Sequence, residues 1–376
     1  MLSTTAMIRF YTPLTLLFIL FSGCSGPSPS NNATKITYTE QSSQASDVTD
    51  DSAAISSLET AGATFRKNSA GLVSEVNLRK ATVDDAAIQS LLSLTHVTSA
   101  LFNDSKVTDK HLETLSAWSS PLVNIDLRGC SIGNPGLIAL AKLKTLKAIR
   151  LNEAADDVDN DGVIALAALP KLKVLALDGL WIDDDFVVAF ADSTTLEELY
   201  LKSTNISDVA LETLGKITSL RKLRLAMNSI SDDGLQHLHQ LSLLIELDLS
   251  ENSSISNAGI DTLSKLTNLQ KLNLWRLAIG DRGILKLASL KNLLWLNLDN
   301  TQLSNDGLKA LANMDQLSFL HLGSTAISDD GLSALSHLKN LKDLKLTRTA
   351  VTDDGAAKLQ QLLPDTDIQL IYLEGK

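Results

Sequence analysis

The sequence repeats a unit of about 24 residues twelve times, and this repeat restricts the chain to a small group of folds. The first position of each unit is aliphatic; eight of the eleven steps between these positions are 24 residues, two are 25 and one is 26. The first positions are Val73, Val97, Leu122, Leu146, Leu172, Leu196, Leu220, Leu244, Leu269, Leu293, Leu317 and Leu341. A fixed period of this size predicts a solenoid. Because a solenoid presents an extended surface, we expect binding rather than catalysis.

Each unit divides into a strand and a helix. In the unit that begins at Leu220, the first half reads L-x-x-L-x-L, and its final alternation predicts a short strand with leucines facing the core. The second half reads I-S-D-D-G-L-x-x-L-x-x-L from Ile230 to Leu241, which places an apolar stripe on one side of a helix. Ser231 is the expected N-cap, and the two aspartates after it favour the positive end of the helix dipole. The same device recurs at Ser207, Ser328 and Thr352.

These motifs resemble those of the leucine-rich repeat family, in the subclass whose units carry I-[ST]-D-x-G-L. That subclass includes bacterial GALA-type repeats and the repeats of F-box substrate receptors, and the resemblance covers residues 73–363. It implies an α/β fold, a right-handed leucine-rich repeat solenoid shaped like a horseshoe. Strands stack about 4.8 Å apart and helices about 10 Å apart, so we expect parallel strands on the concave face and helices on the convex face.

The resemblance also implies a small polar residue where each coil turns after its strand. A hydroxyl, amide or thiol there can satisfy buried backbone groups. Residues of this kind are Ser105, Cys130, Thr204, Asn228, Asn252, Thr301, Thr325 and Thr349. Ala81, Ala154, Leu180 and Leu277 depart from the pattern, so we predict local irregularity at these four turns.

Both ends of the repeat array need caps, because a terminal coil would otherwise expose a hydrophobic edge. Before the first unit, we predict a short helix over residues 52–61 and two strands over 63–67 and 72–78, joined by a turn-rich link. After the last unit, we predict a closing strand over Ile368–Leu373.

The start of the chain has the features of an export signal. Arg9 precedes an apolar run over residues 11–21, which is shorter than the ~20 residues needed to span a bilayer. Phe21-Ser22-Gly23-Cys24 resembles a bacterial lipobox, which implies cleavage before Cys24 and a diacylglycerol on its sulfur. Ser25 then favours the outer membrane in a Gram-negative cell; secretion and an uncleaved anchor are the alternatives. The predicted segments are a lipoprotein signal peptide (1–23), a disordered Ser/Thr-rich tether (24–50), an N-terminal cap (51–72), twelve repeats (73–363) and a C-terminal cap strand and tail (364–376).

Composition narrows the possible partners. The net charge is −11, and removing residues 1–23 removes one positive charge, Arg9, and no acidic residue, which gives −12. A protein with this charge is a poor candidate for binding nucleic acid. If Cys24 is lipidated, Cys130 is the only thiol left, so no intramolecular disulfide can form. We expect Cys130 to be buried and structural rather than nucleophilic.

The expected binding surface is the concave face, toward which the third, fifth and seventh positions of each unit point. Aromatic residues make up only 4% of the chain, yet Trp275, Trp295 and Phe319 fall on three consecutive strands, with His321 close by. We predict that they form one patch that contacts a ligand. Tyr200 and Arg224 are the predicted second contact region. Alternatively, the aromatic rings only pack against one another and shield the strands.

Two motifs suggest metal binding, and neither is convincing. Asp157-Val158-Asp159-Asn160-Asp161-Gly162 begins like a calcium-binding EF-hand loop, but the twelfth position, which should be Glu, is Ala168. His237 and His239 are two residues apart on a predicted helix and point in different directions, so we expect both to be solvated. No nucleophile elbow, phosphate loop or zinc-protease motif is present. We therefore predict no catalytic residue, metal or cofactor.

The sequence favours a non-enzymatic, envelope-anchored leucine-rich repeat protein that binds a protein partner through its concave face. A glycan-binding protein that stacks sugars on Trp275 and Trp295 is one alternative. A self-associating structural envelope protein is another. The likeness to F-box receptors raises a fourth possibility, a ubiquitin-ligase substrate receptor, but no F-box of about 40–50 residues precedes the repeats. The ligand's identity does not follow from the sequence.

Overall fold

The computed structural model describes residues 49–371, so the signal peptide, Cys24 and nearly all of the tether lie outside the described residues. Fourteen strands form a single sheet whose order follows the chain. The strands are β1 (Thr64–Lys67), β2 (Val73–Asn77), β3 (Ser99–Leu101), β4 (Asn124–Asp126), β5 (Ala148–Asn152), β6 (Val174–Asp178), β7 (Glu198–Tyr200), β8 (Lys222–Arg224), β9 (Glu246–Asp248), β10 (Lys271–Asn273), β11 (Trp295–Asn297), β12 (Phe319–His321), β13 (Asp343–Lys345) and β14 (Asp367–Gln369). β1 pairs antiparallel with β2, and each later pair is parallel. The predicted solenoid of consecutive parallel strands is confirmed.

The helical half of the coils is confirmed, but its hydrogen bonding varies. The α-helices are α1 (Ser52–Thr60), α2 (Asp85–Leu92), α3 (Asp109–Leu115), α4 (Asn134–Leu140), α5 (Asn160–Ala165), α6 (Asp208–Leu214), α7 (Asp232–Leu235), α8 (Ile260–Leu263), α9 (Asp281–Ile284) and α10 (Asp353–Leu362). The 3-10 segments are Leu166–Ala168, Asp184–Phe190, Gln236–Gln240, Leu285–Ser289, Gly307–Asn313 and Asp329–Leu335. A coil of this size leaves room for about two helical turns, a length at which the tighter 3-10 form competes with the α-helix.

A continuous hydrophobic core lies between the sheet and the helices. In most of the three-residue strands the middle residue is buried and its neighbours are more exposed, as in β11, where Leu296 is fully buried between Trp295 and Asn297. The register aligns Leu272, Leu296 and Leu320, so equivalent leucines stack from coil to coil. This confirms the predicted faces of the strands, because successive strand residues point to opposite sides.

The turns after the strands follow one pattern, and three of the four predicted irregularities are absent. In the coils that carry Ala81, Leu180 and Leu277, the turn residue's N–H donates to the carbonyl three residues earlier, as it does at Ser105. In each of these three coils the residue just before the turn residue has a left-handed backbone conformation, with a positive φ. The predicted departure at Ala154 is confirmed, because that coil lacks the left-handed residue and turns at Ala155 instead. The two extra residues of this coil lie between the end of β5 at Asn152 and the N-cap of α5 at Asp159.

Polar turn residues perform the predicted role. The Thr204 hydroxyl donates to Leu201 O at 2.9 Å. The Asn252 amide donates to Leu225 O at 2.9 Å and to Leu249 O at 2.8 Å, which ties two coils together. The backbone itself makes the turn in the coils without such a residue, which is why an apolar side chain is tolerated there.

A ladder of aspartates and serines joins neighbouring coils on the helical side. Asp208 accepts hydrogen bonds from Ser231 of the next coil, at 2.8 Å from the backbone N and 2.5 Å from Oγ. Asp329 makes the same pair with Thr352, whose hydroxyl and N–H lower the pKa of the aspartate. The sequence interpretation assigned these aspartates to the dipole of their own helix and missed the contact with the next coil.

The helix and strands at the two ends of the repeat array lie close to the predicted positions. Helix α1 precedes the antiparallel β1–β2 hairpin, which covers the first coil. At the other end, β14 pairs with β13 and closes the sheet. It spans Asp367–Gln369, so it begins one residue before the predicted Ile368–Leu373 strand and ends at Gln369; residues 372 and 373 lie outside the described residues. Among residues 49–371, no helix is long and apolar enough to cross a bilayer.

Candidate functional site on the concave face

Alternating charges occupy the third position of four consecutive repeat units, which is the first residue of strands β7 to β10. The register aligns Glu198, Lys222, Glu246 and Lys271 across β7 to β10. Lys222 Nζ lies 3.1 Å from Glu198 Oε1 and 3.8 Å from Glu246 Oε1. Lys271 Nζ lies 3.8 Å from Glu246 Oε2. The charges are therefore paired along the row, and the side chains are held in ordered positions.

The same row continues into an aromatic stack. Trp295 and Phe319 are directly opposite each other on β11 and β12, with ring centroids 4.9 Å apart and planes within 5°. Lys271, on the strand at the other side of Trp295, places Nζ 5.3 Å from its ring. Lys345 Nζ lies 5.5 Å from the Phe319 ring. Each cation is at a distance that gives a favourable cation–π contact.

Trp275 does not join this stack, so the predicted patch of three aromatic rings is wrong in one member. The strand partner of Trp295 is Lys271, and Trp275 lies two residues beyond the end of β10. Four residues separate the third position of a unit from the seventh, which is about 13 Å along the strand direction. The Trp275 ring instead packs under Arg276, whose Cζ is 5.4 Å from the ring centroid.

Tyr200 and Arg224, the predicted second contact region, contact each other. Arg224 Cζ lies 5.2 Å from the Tyr200 ring centroid, and Arg224 Nη1 donates to Asp178 Oδ2 at 2.7 Å. The Tyr200 hydroxyl donates to Glu198 Oε2 at 2.7 Å. Burial, together with the Glu198 carboxylate, raises the pKa of Tyr200, so the phenol remains a hydrogen-bond donor at neutral pH.

A single groove connects the two predicted contact regions. It encloses about 140 Å³, with Tyr200 at one end and Trp295 at the other. Four strand spacings separate β7 from β11, which is about 19 Å. Between the aromatic ends, the lining residues that the sequence interpretation did not choose as site residues include Lys222, Glu246, Asp248, Lys271 and Asn273. Their positions on the concave face were predictable, whereas their joint contribution to one groove was not.

His321 lies beside the stack, as predicted, and faces a polar recess. Its ring centroid is 6.5 Å from that of Phe319, and its Nε2 is 3.9 Å from Asp299 Oδ1. Burial, assisted by Lys345 and opposed by Asp299, lowers the pKa of His321, so the ring is neutral at pH 7. Thr347 lies in the same recess, because Thr347 Oγ1, Asp299 Oδ1 and His321 Nε2 all lie close to Gly323.

Of the two motifs that suggested metal binding, the aspartate-rich one caps a helix and the histidine pair is exposed. Asp159 caps α5, because its Oδ1 accepts from Asp161 N at 2.9 Å and from Asn134 Nδ2 at 2.7 Å. His237 and His239 are exposed on the helical side, as predicted. Within the described part of the chain, no group of three or more His, Cys, Asp or Glu residues could hold a metal ion.

Cys130 is fully buried, as predicted. Its Sγ donates to Phe102 O at 3.1 Å. Burial raises the pKa of the thiol, so it stays protonated at neutral pH. A protonated, buried thiol is a poor nucleophile, in keeping with a structural role.

One exposed aromatic residue was missed by the sequence interpretation. The Trp181 side chain is 75% exposed and lies outside the strands, just after β6. No repeat position singles it out, because the residues at the equivalent place in other coils are small or polar, such as Asn205 and Ser229. Only the structure identifies it as an exposed ring outside the groove.

Comparison with known proteins identifies the fold. Segments of the chain match the family model described as Leucine Rich repeat, over residues 119–141, 192–215, 216–238, 317–336 and 337–359. No curated protein sequence matches the chain.

Solved structures of similar fold include an internalin, inlF, from Listeria monocytogenes, with 21% identity and a TM-score of 0.64. That match covers 86% of this chain and 96% of the internalin. Internalin C2 from the same organism is 24% identical with a TM-score of 0.44, over 63% of this chain and 83% of that one. At these identities the first likeness establishes the fold and nothing about the ligand.

Proposed function

We propose that this protein, whose fold is a leucine-rich repeat solenoid, binds a protein partner through the groove between Tyr200 and Trp295. The observation that carries the proposal is the groove itself, which places a partly exposed aromatic residue at each end of a row of charged side chains. Aromatic residues and arginine are the side chains that most often dominate binding energy at protein interfaces.

The charged residues of the groove support a protein ligand. Lys222, Glu246 and Lys271 are held in ion pairs, and each side chain keeps 30–49% of its surface exposed. Ion pairs this exposed contribute little to stability, so they can exchange partners with a ligand at small cost. Such residues suit the polar rim of an interface, around the aromatic anchors.

The geometry gives less support to sugar stacking. The stack with Phe319 covers one face of Trp295, and Lys271 lies over the ring from the neighbouring strand. Arg276 covers a face of Trp275 in the same way. A sugar ring would have to displace one of these neighbours before it could lie on either indole.

We further propose that Cys24 carries a lipid that anchors the protein in the cell envelope. The proposal rests on the Phe21-Ser22-Gly23-Cys24 motif and the short apolar run before it.

The groove is tested by affinity capture with the parent chain and with Tyr200→Ala/Trp295→Ala as bait. We expect the double variant to lose the proteins that the parent retains from cell-envelope extract. Trp181→Ala is the matched control, because it removes an exposed indole outside the groove. Unchanged capture by the double variant would refute the groove as the binding site.

Self-association is a separate outcome of the same variants. Light scattering on the parent and on Tyr200→Ala/Trp295→Ala measures their molar masses in solution. If the parent is a dimer and the double variant a monomer, the groove binds a second copy of this chain rather than another protein.

A further inference from the structure

A second cleft, rich in arginine, lies on the concave face at the other end of the solenoid. It encloses about 710 Å³ between β1 and β5. Arg66, Arg79, Arg128 and Arg150 line it, together with two carboxylates, Glu75 and Asp126. The cleft therefore has a net charge of +2, from four guanidinium groups and two carboxylates, in a protein whose net charge is −11.

Two of the four arginines are neutralised locally. Arg128 binds Asp126 with both ends of its guanidinium fork, at 2.9 Å (Nε–Oδ1) and 2.7 Å (Nη2–Oδ2). Burial alone would raise the pKa of Asp126, but hydrogen bonds from Arg128 and Asn103 outweigh it and lower the pKa, so the carboxylate is ionised. Arg66 Nε lies 3.4 Å from Glu75 Oε1.

The other two arginines, Arg79 and Arg150, have no acidic partner within residues 49–371. Arg79 Nε donates to Asn103 Oδ1 at 3.1 Å, and Arg150 Nη1 donates to Asn124 Oδ1 at 2.5 Å. Each amide oxygen fixes its guanidinium in the cleft without cancelling the charge. The remaining N–H groups are left for a ligand, and a guanidinium fork matches the two oxygens of a carboxylate.

We propose that this cleft binds an acidic peptide segment of a protein, with one carboxylate on Arg79 and another on Arg150. Arg150 lies on β5 and Arg79 lies two residues beyond the end of β2, three strand spacings or about 14 Å away across the sheet, and both side chains lean toward the strands between them. Side chains on one face of an extended peptide recur about every 7 Å, so carboxylates four residues apart fit this separation. The groups of a short polyphosphate are joined through single oxygens and fit it less well.

The cleft also lacks the features of the Tyr200–Trp295 groove. Phe65 is its only aromatic lining residue, and its lining is otherwise almost wholly polar. The two sites are lined by different strands, β1 to β5 for the cleft and β7 to β11 for the groove. The acidic-peptide proposal therefore goes beyond the proposed function, and either one can fail without the other.

Fluorescence anisotropy with a labelled hexaglutamate peptide tests the cleft in the full-length protein. We expect the parent to bind the peptide at low salt and to release it as ionic strength rises. Arg79→Gln/Arg150→Gln should weaken binding by at least about tenfold, the scale of a lost charge-assisted contact. The control Lys265→Gln/Arg282→Gln removes two exposed charges from the helical side and should bind within about twofold of the parent.

Three results would overturn the proposal: no binding by the parent at low salt, equal weakening in the control, or displacement of the peptide by tripolyphosphate at lower concentration than by unlabelled hexaglutamate. The last result would assign the cleft to a phosphate ligand. Tyr200→Ala/Trp295→Ala should bind the peptide as the parent does, which separates this test from that of the groove. Circular dichroism on each variant checks that the fold is intact.

Discussion

At the scale of single residues, Thr347 is exceptional because its hydroxyl has nothing to bind. Its side chain is 2% exposed, and within the described residues its Oγ1 is the one buried side-chain oxygen or nitrogen without a hydrogen-bond partner. A buried polar group in this state destabilises the fold by roughly 1–3 kcal/mol. The threonines at the turns, by contrast, donate to a carbonyl three residues earlier, as Thr204 does.

We therefore expect Thr347→Val to leave the free energy of unfolding unchanged or to raise it by up to about 1 kcal/mol. Thr204→Val is the matched control; it removes a satisfied hydroxyl and should lower the free energy of unfolding by roughly 1–2 kcal/mol. Urea denaturation measures both. If Thr347→Val lowers the free energy of unfolding as much as Thr204→Val does, the Thr347 hydroxyl has a hydrogen-bond partner in solution.

The pH dependence of stability provides a test of His321. Its pKa in the folded protein is lowered below the ordinary 6.5, so the unfolded chain binds the proton more tightly. The contribution of neutral His321 to stability is complete above pH 6.5, the ordinary histidine pKa. It is lost as the pH falls through the lower pKa that His321 has in the folded protein. We expect the parent to lose more stability than His321→Asn between pH 7 and 5, as measured by thermal unfolding. If the melting temperatures of the parent and of His321→Asn fall equally between pH 7 and 5, this prediction is wrong.

At the scale of helices and strands, the glycine of each I-S-D-D-G-L motif is required by the coil before it. A Cβ on Gly234 would collide with Asp208 Oδ1, the atom that binds the backbone N of Ser231. Gly355 meets Asp329 in the same way. The glycine and the aspartate are therefore one feature of the interface between coils, although they belong to different repeats.

We expect Gly234→Ala to lower the free energy of unfolding by about 1–3 kcal/mol, the usual cost of overpacking. Asp233→Ala, on the exposed side of the same helix, should change it by less than about 0.5 kcal/mol. Asp208→Ala/Gly234→Ala should be less destabilised than the sum of its single changes, because the colliding carboxylate is gone. If the losses of unfolding free energy in the two single variants add up in the double variant, the destabilisation by Gly234→Ala comes from the helix itself and not from the collision with Asp208.

The spacing of leucines was enough to predict the strands, but not the form of the helices. L-x-x-L-x-L fixes the period, the buried face and the register, because a slip of one residue would expose every leucine. The helical segments are less determined: the same I-S-D-D-G-L motif begins an α-helix at Asp232 and a 3-10 segment at Asp329. The two forms differ little in energy over so few residues, so the motif alone does not decide between them.

The candidate site was predictable in part. Period-two alternation correctly placed Trp295, Phe319 and Tyr200 on the face of the strands that points away from the core, which is the concave face. The position of Trp275 within its unit, the seventh rather than the third, was enough to separate it from the stack. The groove that unites Tyr200 with Trp295 depends on the conformations of long charged side chains across five strands, which no repeat pattern specifies.

At the scale of the whole molecule, the proposed lipid anchor predicts where the protein is found. We expect Cys24→Ser to move the protein from the membrane pellet to the supernatant after cell fractionation, because lipid chains supply the affinity for the bilayer. Cys130→Ser, at the buried thiol, is the control and should stay in the pellet. Equal pelleting of Cys24→Ser and the parent would refute anchoring through this residue.

The order of the sheet, which is the order of the chain, bears on how the protein is made. Each strand pairs with the one that precedes it in synthesis, so a finished coil finds its docking partner already in place on the nascent polypeptide. No segment has to wait for a distant one to leave the ribosome. Among the strands, the antiparallel hairpin of β1 and β2 is made first, and β2 then offers its free edge to β3, the first strand of the next coil.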